Sequence, residues 1–294
     1  MIPKILHYIW FGSKPLTPLA EDCLASWKTM MPDWQIMRWD ESTLAQVLCE
    51  PNLNNVLRTA IGSPIEQSSS PVKGRTSKQL SEQSQDEHSW LDYMPIYVKQ
   101  AYEARKYAFV SDYVRLWALE QYGGVYLDTD VKALRSYEPL LNDTAFIGME
   151  ESLAHMPGTC VMGCEPHCQW VRDMLEVYKG VEFVKPDGSL DLTTNVQRMG
   201  VIMLKELTNE GLTNERYWKQ NQYIEKWGLR VYTHDYFSPI TSTRVMRKTK
   251  NTYSIHYFAE SWRDGKRASG WRNWTVTREI VNALVQMKRK IKGV

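Results

Sequence analysis

Apolar and polar positions along the N-terminal part of the chain follow the order strand, helix, strand. Residues 2–10 are rich in β-forming side chains, and residues 34–39 alternate between apolar and polar positions, as half-buried strands do. Between them, residues 18–31 carry apolar side chains at helical spacing before a Pro-Asp pair, which predicts a helix that ends there. This βαβ unit predicts an α/β fold with a mostly parallel sheet flanked by helices.

The most informative pattern lies in the middle of the chain. Residues 108–122 place apolar side chains at helical spacing, and Gly123 and Gly124 follow, which predicts a helix that ends on positive φ. Residues 125–127 predict a short buried strand. Asp128-Thr129-Asp130 comes next, so two carboxylates are expected at the carboxyl end of this strand.

Asp128 and Asp130 occupy the place where open α/β sheets bind their ligands. On an extended backbone, side chains two residues apart leave from the same face, so one cation would meet both. Carboxylate oxygens suit Mn²⁺ or Mg²⁺, which complete their shell with water and substrate phosphates, and a nucleoside diphosphate is the natural third partner. Asp112 and Arg115 share a face of the preceding helix and are expected to reach the same pocket.

An Asp-x-Asp sequence also arises by chance in strands that bind nothing. Two acids directly after an apolar strand would each be costly to bury without a cation or a basic partner. The context therefore favours a metal site over a structural role.

Two segments resemble the signature of glycosyltransferase family 32, the DXD-containing sugar transferases related to yeast Golgi mannosyltransferases and to the glucosylating domain of large clostridial toxins. They are Ser111-Asp112-Tyr113-Val114-Arg115 and Tyr122-Gly123-Gly124-Val125-Tyr126-Leu127-Asp128-Thr129-Asp130-Val131. The resemblance extends to the opening segment and to residues 256–262. It implies a GT-A-type nucleotide-sugar-binding fold, with helical additions, over residues 1–276.

The same resemblance implies a metal-dependent hexosyltransferase that uses Mn²⁺ or Mg²⁺ and retains the anomeric configuration. It would move a sugar from a nucleotide sugar, expected to be a UDP sugar, to a saccharide or lipid-linked saccharide acceptor. Capsule, O-antigen or other surface polysaccharide synthesis is the expected setting. The donor sugar, the linkage and the oligomeric state do not follow from the sequence.

Donor-binding residues are carried over from the resemblance position by position. Trp10 is expected to stack on the uracil ring, and Trp262 to donate its indole N–H to the leaving phosphate. Asp112 and Arg115 would orient the sugar. Further donor-binding candidates on the same basis are Tyr126, Asp191 and Asn195.

Metal-binding residues are carried over in the same way. Asp130 is the expected ligand, and Asp128 is expected to hold ribose and sugar hydroxyls as well as metal-bound water. His256 and Ser261 are assigned to the metal region. Which of His256, Glu260 and Ser261 ligates the ion stays open.

Two segments stand apart from the predicted catalytic domain. Residues 52–93 are rich in serine and poor in large apolar side chains, which predicts an inserted flexible loop. It would serve as an acceptor-side lid, an oligomer contact or neither. Residues 277–294 predict a basic amphipathic helix, which either contacts an anionic membrane surface or packs on the core with a solvated basic face.

Composition narrows the function classes. The net charge of +2 is too small to indicate nucleic-acid binding. No run of 18 apolar residues is present, and the N-terminus lacks the pattern of a signal peptide. With five cysteines, an odd number, these features favour a cytoplasmic location and argue against a disulfide framework.

Cysteine and histidine residues at two other places have ligand-type side chains. Cys160, Cys164, His167 and Cys168 lack any Cys-x-x-Cys pair, which disfavours a zinc site built from them. His7, in the first strand, is predicted to be a hydrogen-bonded core residue.

Two rival functions share some of these features. A haloacid-dehalogenase-like phosphatase also places Asp-x-Asp after an apolar strand, and Asp128 would then be its nucleophile. That motif normally opens its domain, whereas here a long segment precedes it. A non-catalytic saccharide-binding module would use the abundant aromatic side chains as platforms.

Overall fold

A computed structural model describes residues 1–49, 89–151, 157–209, 220–241 and 244–259. The strands are β1 (Ile5–Ile9), β2 (Gln35–Trp39), β3 (Gly124–Leu127), β4 (Val131–Ala133), β5 (Ala145–Met149), β6 (Pro157–Cys164), β7 (Gln222–Ile224), β8 (Leu229–Tyr232) and β9 (Ser254–His256). The α-helices are α1 (Pro18–Met30), α2 (Glu41–Cys49), α3 (Ile96–Glu103), α4 (Tyr107–Tyr122), α5 (Gln169–Glu176) and α6 (Asn195–Asn209). Short 3₁₀ helices cover Ser89–Tyr93, Glu138–Leu140 and Glu225–Trp227.

The main sheet has the strand order β2-β1-β3-β6-β5-β8-β7. Strands β2, β1, β3, β5 and β8 run in one direction, and β6 and β7 run in the other. Strands β4 and β9 form a separate antiparallel pair. The predicted α/β fold with a mostly parallel sheet is therefore confirmed.

Side chains alternate across the sheet and divide the core into two layers. On β1 and β3, Leu6 and Val125 point to one side with helix α1. Ile9 and Tyr126 point to the other side, where helices α4, α5 and α6 pack. The sheet is thus covered on both faces, as expected when parallel strands are joined by helical crossovers.

His7 joins β1 to the end of helix α4 and to β2. The Trp39 indole N–H donates to His7 Nδ1 over 3.0 Å, so His7 Nε2–H donates to the Gly123 carbonyl over 2.7 Å. Burial lowers the pKa of His7 to about 4, so the ring is neutral at pH 7. The prediction that His7 is a hydrogen-bonded core residue is confirmed.

The two glycines after α4 are needed for this close approach. Gly123 and Gly124 have φ of +62° and +91°, a region that side chains with a Cβ rarely adopt. A Cβ on Gly124 would lie 2.7 Å from the carbonyl oxygen of Ile5. Helix α4 therefore ends as predicted, and β3 begins in contact with β1.

Some elements differ from the sequence expectation. Helix α2 was not predicted. The final residues of the predicted 52–93 loop form the 3₁₀ helix Ser89–Tyr93, whose Trp90 is fully buried in the core. The rest of that loop from residue 52 to residue 88, and the predicted helix 277–294, lie outside the described residues. Within the described residues, no helix is both long and apolar enough to cross a bilayer.

We predict that His7→Leu lowers the free energy of unfolding at pH 7 by about 2–5 kcal/mol. The substitution leaves the Gly123 carbonyl and the Trp39 indole N–H without their buried partner, at about 1–3 kcal/mol each. Urea denaturation measures this loss. A change below about 0.5 kcal/mol would show that these hydrogen bonds do not hold β1 in place.

The same variant gives a pH signature. The unfolded histidine has a pKa of ~6.5. Between pH 6.5 and 4 the unfolded chain therefore binds more protons than the folded protein, so the free energy of unfolding falls as the pH is lowered. Between pH 7 and pH 5 the wild-type protein should lose about 2 kcal/mol more than His7→Leu. Equal losses in the two proteins would contradict a neutral, buried His7.

Candidate active site

Asp128 and Asp130 lie at the carboxyl end of β3, as predicted, but the backbone between them is not extended. The chain turns at residues 129–130, and the Val131 N–H donates to the Asp128 carbonyl over 3.0 Å. The expectation of an extended segment was therefore wrong, because a turn is needed to direct the chain from β3 into β4. The turn still brings the two carboxylates together.

A third side chain reaches the carboxylates from the far end of the described chain. Strand β9 pairs antiparallel with β4, in a register that sets His256 opposite Val131. Asp128, Asp130 and His256 each offer a ligand atom, and these atoms lie within 4.8 Å of one another. His256 Nε2 is 3.4 Å from Asp130 Oδ1.

Asp130 is stabilised in its charged form by its neighbours. Burial would raise the pKa of Asp130, but His256 and the Ala259 N–H outweigh it and lower the pKa. That N–H donates to Asp130 Oδ2 over 2.7 Å. Two carboxylates and one imidazole form a donor set that fits Mn²⁺ or Mg²⁺, with positions left for water and phosphate. Glu260, Ser261 and Trp262 lie outside the described residues.

Arg115 is the buried cation of the site. Its guanidinium lies 3.2 Å from Asp112 Oδ1 and 3.2 Å from Asp128 Oδ1. Nη1 also donates to the carbonyl of Thr159 over 3.0 Å, and Nε to the carbonyl of Ser111 over 3.2 Å. Arg115 is 6% exposed, so these partners supply the compensation that a buried charge needs.

Tyr126 contacts both Asp128 and Arg115. Its O–H donates to Asp128 Oδ1 over 2.7 Å, and the Arg115 guanidinium carbon lies 4.5 Å from its ring centroid. Tyr126 was predicted to bind the donor. The structure places it beneath Asp128, where it holds that carboxylate in position.

Asp112 and Asn195 meet where helix α6 begins. The Asn195 backbone N–H donates to Asp112 Oδ2 over 2.9 Å, and its side-chain amide donates to the Asp112 carbonyl over 3.2 Å. Burial raises the pKa of Asp112 to about 6, against the opposing effect of Arg115. Asn195 Oδ1 is buried and has no hydrogen-bond partner among the described residues. This amide oxygen is free to accept a hydrogen bond from a ligand or water.

Asp191 contacts residues in and just before helix α6. It forms an ion pair with Arg198 and accepts a hydrogen bond from the Thr193 N–H over 3.1 Å. Arg198 in turn lies over the rings of Tyr97 and Tyr178. Asp191 therefore orders the loop that leads into α6, and its predicted donor contact stays a prediction.

Trp10 leaves the sheet at the same edge as Asp128. It follows β1, in which His7 pairs with Tyr126 of β3. Its indole N–H donates to the carbonyl of Lys14 over 2.7 Å, and the side chain is partly buried. The predicted nucleotide-binding tryptophan thus lies at the correct end of the sheet, and its stacking role stays a prediction.

Sequence reasoning missed Glu150. It follows directly after the buried strand β5, as Asp128 follows β3, and its Oε1 lies 3.3 Å from His256 Nδ1. That parallel was visible in the sequence. The disfavoured zinc set of Cys160, Cys164, His167 and Cys168 does not form one cluster. Cys160 lies near His256 and Glu150, whereas the exposed His167 contacts Glu120.

Residues 19–147 match the family described as "Glycosyltransferase sugar-binding region containing DXD motif". The matched residues include Asp112, Arg115, Asp128 and Asp130, so the carboxylate site lies within the part of the chain that is similar to this family. The predicted resemblance to DXD sugar transferases and the enzyme class are thereby confirmed.

Solved structures with detectable similarity include two glycosyltransferases. PaToxG glycosyltransferase is 18% identical, with a TM-score of 0.43, and the match covers 74% of this chain and 75% of that one. The UDP-bound glycosyltransferase domain from the YGT toxin is 13% identical, with a TM-score of 0.31, and the match covers 73% and 69%. No curated protein sequence matches the chain.

We predict that Arg115→Lys lowers the free energy of unfolding by about 1–3 kcal/mol, because it keeps the charge but leaves buried acceptors without their hydrogen bonds. Lysine cannot reproduce the planar, multidentate contacts of a guanidinium. Arg172→Lys is the matched control, since Arg172 is an exposed arginine paired with Glu120, and should change stability by less than about 0.5 kcal/mol. Equal urea midpoints for the two variants would refute this role of Arg115.

Proposed function

We propose that this glycosyltransferase is metal-dependent and transfers a sugar from a UDP sugar to a saccharide acceptor. The observation that carries the proposal is the convergence of Asp128, Asp130 and His256 at the carboxyl end of β3. Three ligands of this kind leave coordination positions for a diphosphate. The bound ion would be Mn²⁺ or Mg²⁺, held mainly by Asp130 and His256.

The role of a divalent ion in this chemistry is to stabilise the charge that develops on the leaving diphosphate. The protein's own residues prepare the site for it. Tyr126 and Arg115 direct Asp128 toward the ligand group. Asp112, held by Arg115 and by the start of α6, is positioned to bind hydroxyl groups of the donor sugar together with Asn195.

Several finer assignments rest on the sequence resemblance. They include retention of configuration, stacking of Trp10 on uracil, contacts of Ser261 with the metal and of Trp262 with phosphate, and a role in surface polysaccharide synthesis. A saccharide or lipid-linked saccharide acceptor, and membrane contact through residues 277–294, belong to the same set.

The rival phosphatase assigns a different role to Asp128. A nucleophilic Asp128 would need a free carboxylate oxygen directed at phosphate. The contacts of Asp128 Oδ1 with Tyr126 and Arg115 fix the carboxylate in place and are compatible with either role. The preference for sugar transfer rests on the match of residues 19–147, which contain Asp128, to a glycosyltransferase family.

We predict that Asp130→Asn abolishes Mn²⁺-stimulated hydrolysis of the donor, since an amide is a weaker ligand for a hard cation. Tyr126→Phe should weaken Mn²⁺ binding by about 10-fold, as expected for loss of a ligand-orienting hydrogen bond. A panel of nucleotide sugars, assayed with and without Mn²⁺, identifies the donor first. Asp33→Asn, at an exposed acid paired with Lys4, is the control. Full activity in Asp130→Asn would rule out its role as a ligand.

We also predict that Trp10→Ala weakens UDP binding by about 10-fold or more, because base–aromatic stacking contributes about 1–3 kcal/mol. Isothermal titration in the presence of Mn²⁺ measures the change. Pyrophosphate, which lacks the base, should bind wild-type and variant protein alike. A parallel loss for both ligands would show that Trp10 acts on the diphosphate pocket and not on uracil.

A further inference from the structure

A second group of ligand atoms lies on the other side of His256. Glu150 follows β5, Cys160 lies in the middle of β6, and His256 ends β9. One ligand atom from each lies within 4.8 Å of the other two. Neither the family match nor the proposed sugar transfer uses Glu150 or Cys160.

The imidazole of His256 presents one nitrogen to each group. Nε2 faces Asp130 over 3.4 Å, and Nδ1 faces Glu150 Oε1 over 3.3 Å. His256 is 9% exposed, and Nδ1 is fully buried without a hydrogen-bond partner among the described residues, because its contact with Glu150 lacks hydrogen-bond geometry. A buried nitrogen without such a partner is rare, and this one points between a carboxylate and a thiol.

The two groups differ in chemical softness. Asp128 and Asp130 supply hard oxygen atoms, which suit Mg²⁺ and Mn²⁺, whereas Cys160 adds a sulfur atom that favours Zn²⁺ or Cd²⁺. Cysteine, histidine and a carboxylate are the ligand types of zinc sites, and three protein ligands leave a fourth position for water. The Cys160 thiol lies 3.3 Å from Ser238 Oγ and also interacts with His256, and hydrogen bonds of a thiol are weak.

We propose that Glu150, Cys160 and His256 bind a thiophilic divalent ion such as Zn²⁺. Binding would release the thiol proton of Cys160 to solvent, and from a charged imidazole also the proton on His256 Nδ1, whose lone pair then ligates the ion. A neutral imidazole that ligates through Nδ1 carries its proton on Nε2, so the ring cannot at the same time ligate an ion beside Asp130. The thiophilic ion therefore competes with the metal of sugar transfer for His256, and this second part rests on the proposed function.

Cadmium titration of the whole chain tests the site directly, because a cadmium–thiolate bond gives an ultraviolet charge-transfer band. The wild-type protein, in the reduced state and without nucleotide, should show this band with one equivalent of Cd²⁺. Cys160→Ala should lose the band and weaken binding by more than ~100-fold, a larger effect than loss of an outer-shell contact. Glu150→Gln should keep the band but bind at least ~10-fold more weakly.

The control is Cys164→Ala, which removes another buried cysteine from the same strand, four residues away. It should keep the band and change affinity by less than about threefold. A band that survives in Cys160→Ala but disappears in Cys164→Ala would overturn the proposal and place the ion at Cys164 and Cys168. Absence of any band in the folded wild-type protein would also overturn it. Far-ultraviolet circular dichroism confirms that each variant is folded.

Competition is measured separately by Mn²⁺ electron paramagnetic resonance. One equivalent of Zn²⁺ should release bound Mn²⁺ from the wild-type protein but not from Cys160→Ala. A cadmium band without any Mn²⁺ binding would leave the thiophilic site intact and count against the proposed function instead. A cadmium band together with Mn²⁺ that Zn²⁺ cannot release would refute the sharing of His256.

Discussion

The buried guanidinium of Arg115 is the contact on which the arrangement of the site depends. It lies between the carboxylates of Asp112 and Asp128 and also donates to the carbonyl of Thr159 on β6. A charge of this kind is tolerated in the interior only when its partners surround it. Helix α4, the end of β3 and strand β6 are therefore held in one relative position, and that position sets the direction of Asp128.

The backbone around this ion pair has little freedom. Gly123 and Gly124 let α4 end directly against β1, and His7 bonds to the carbonyl of Gly123. The turn after Asp128 then leads into β4, which pairs with β9 and delivers His256. A cluster of ligands thus forms from residues that are far apart in the sequence, because two short strands pair in one register.

Patterns in the sequence predict the α/β fold and the position of Asp128 and Asp130 at the end of a strand. The βαβ pattern of residues 2–39 and the double glycine predict local structure, and local structure sets where β1, α4 and β3 begin and end. The position of the antiparallel strand β6 between β3 and β5 could not be predicted from the sequence. The pairing of strands separated by long connections depends on tertiary packing. Helix α2 was missed for a related reason: its few apolar positions form a face only when Leu44 and Val47 meet the core.

Roles of individual side chains were harder to predict than their location. Tyr126 and Asp191 are predicted to bind the donor, and those contacts stay predictions; the structure adds that Tyr126 contacts Asp128 and that Asp191 contacts Arg198. Glu150 and Cys160 were not connected with His256, because no spacing in the sequence reports that β5, β6 and β9 converge. Partners of buried polar groups are set by three-dimensional neighbours, which a single sequence does not reveal.

We expect Asp128, Asp130 and His256 to share a divalent ion with a nucleoside diphosphate. Anomalous diffraction from crystals grown with Mn²⁺ and UDP reveals whether such an ion is present. One manganese peak should appear, bonded to Asp130 and in contact with the diphosphate oxygens. A bound UDP without a manganese peak beside these residues, with Asp130 still paired to His256 alone, would contradict this expectation.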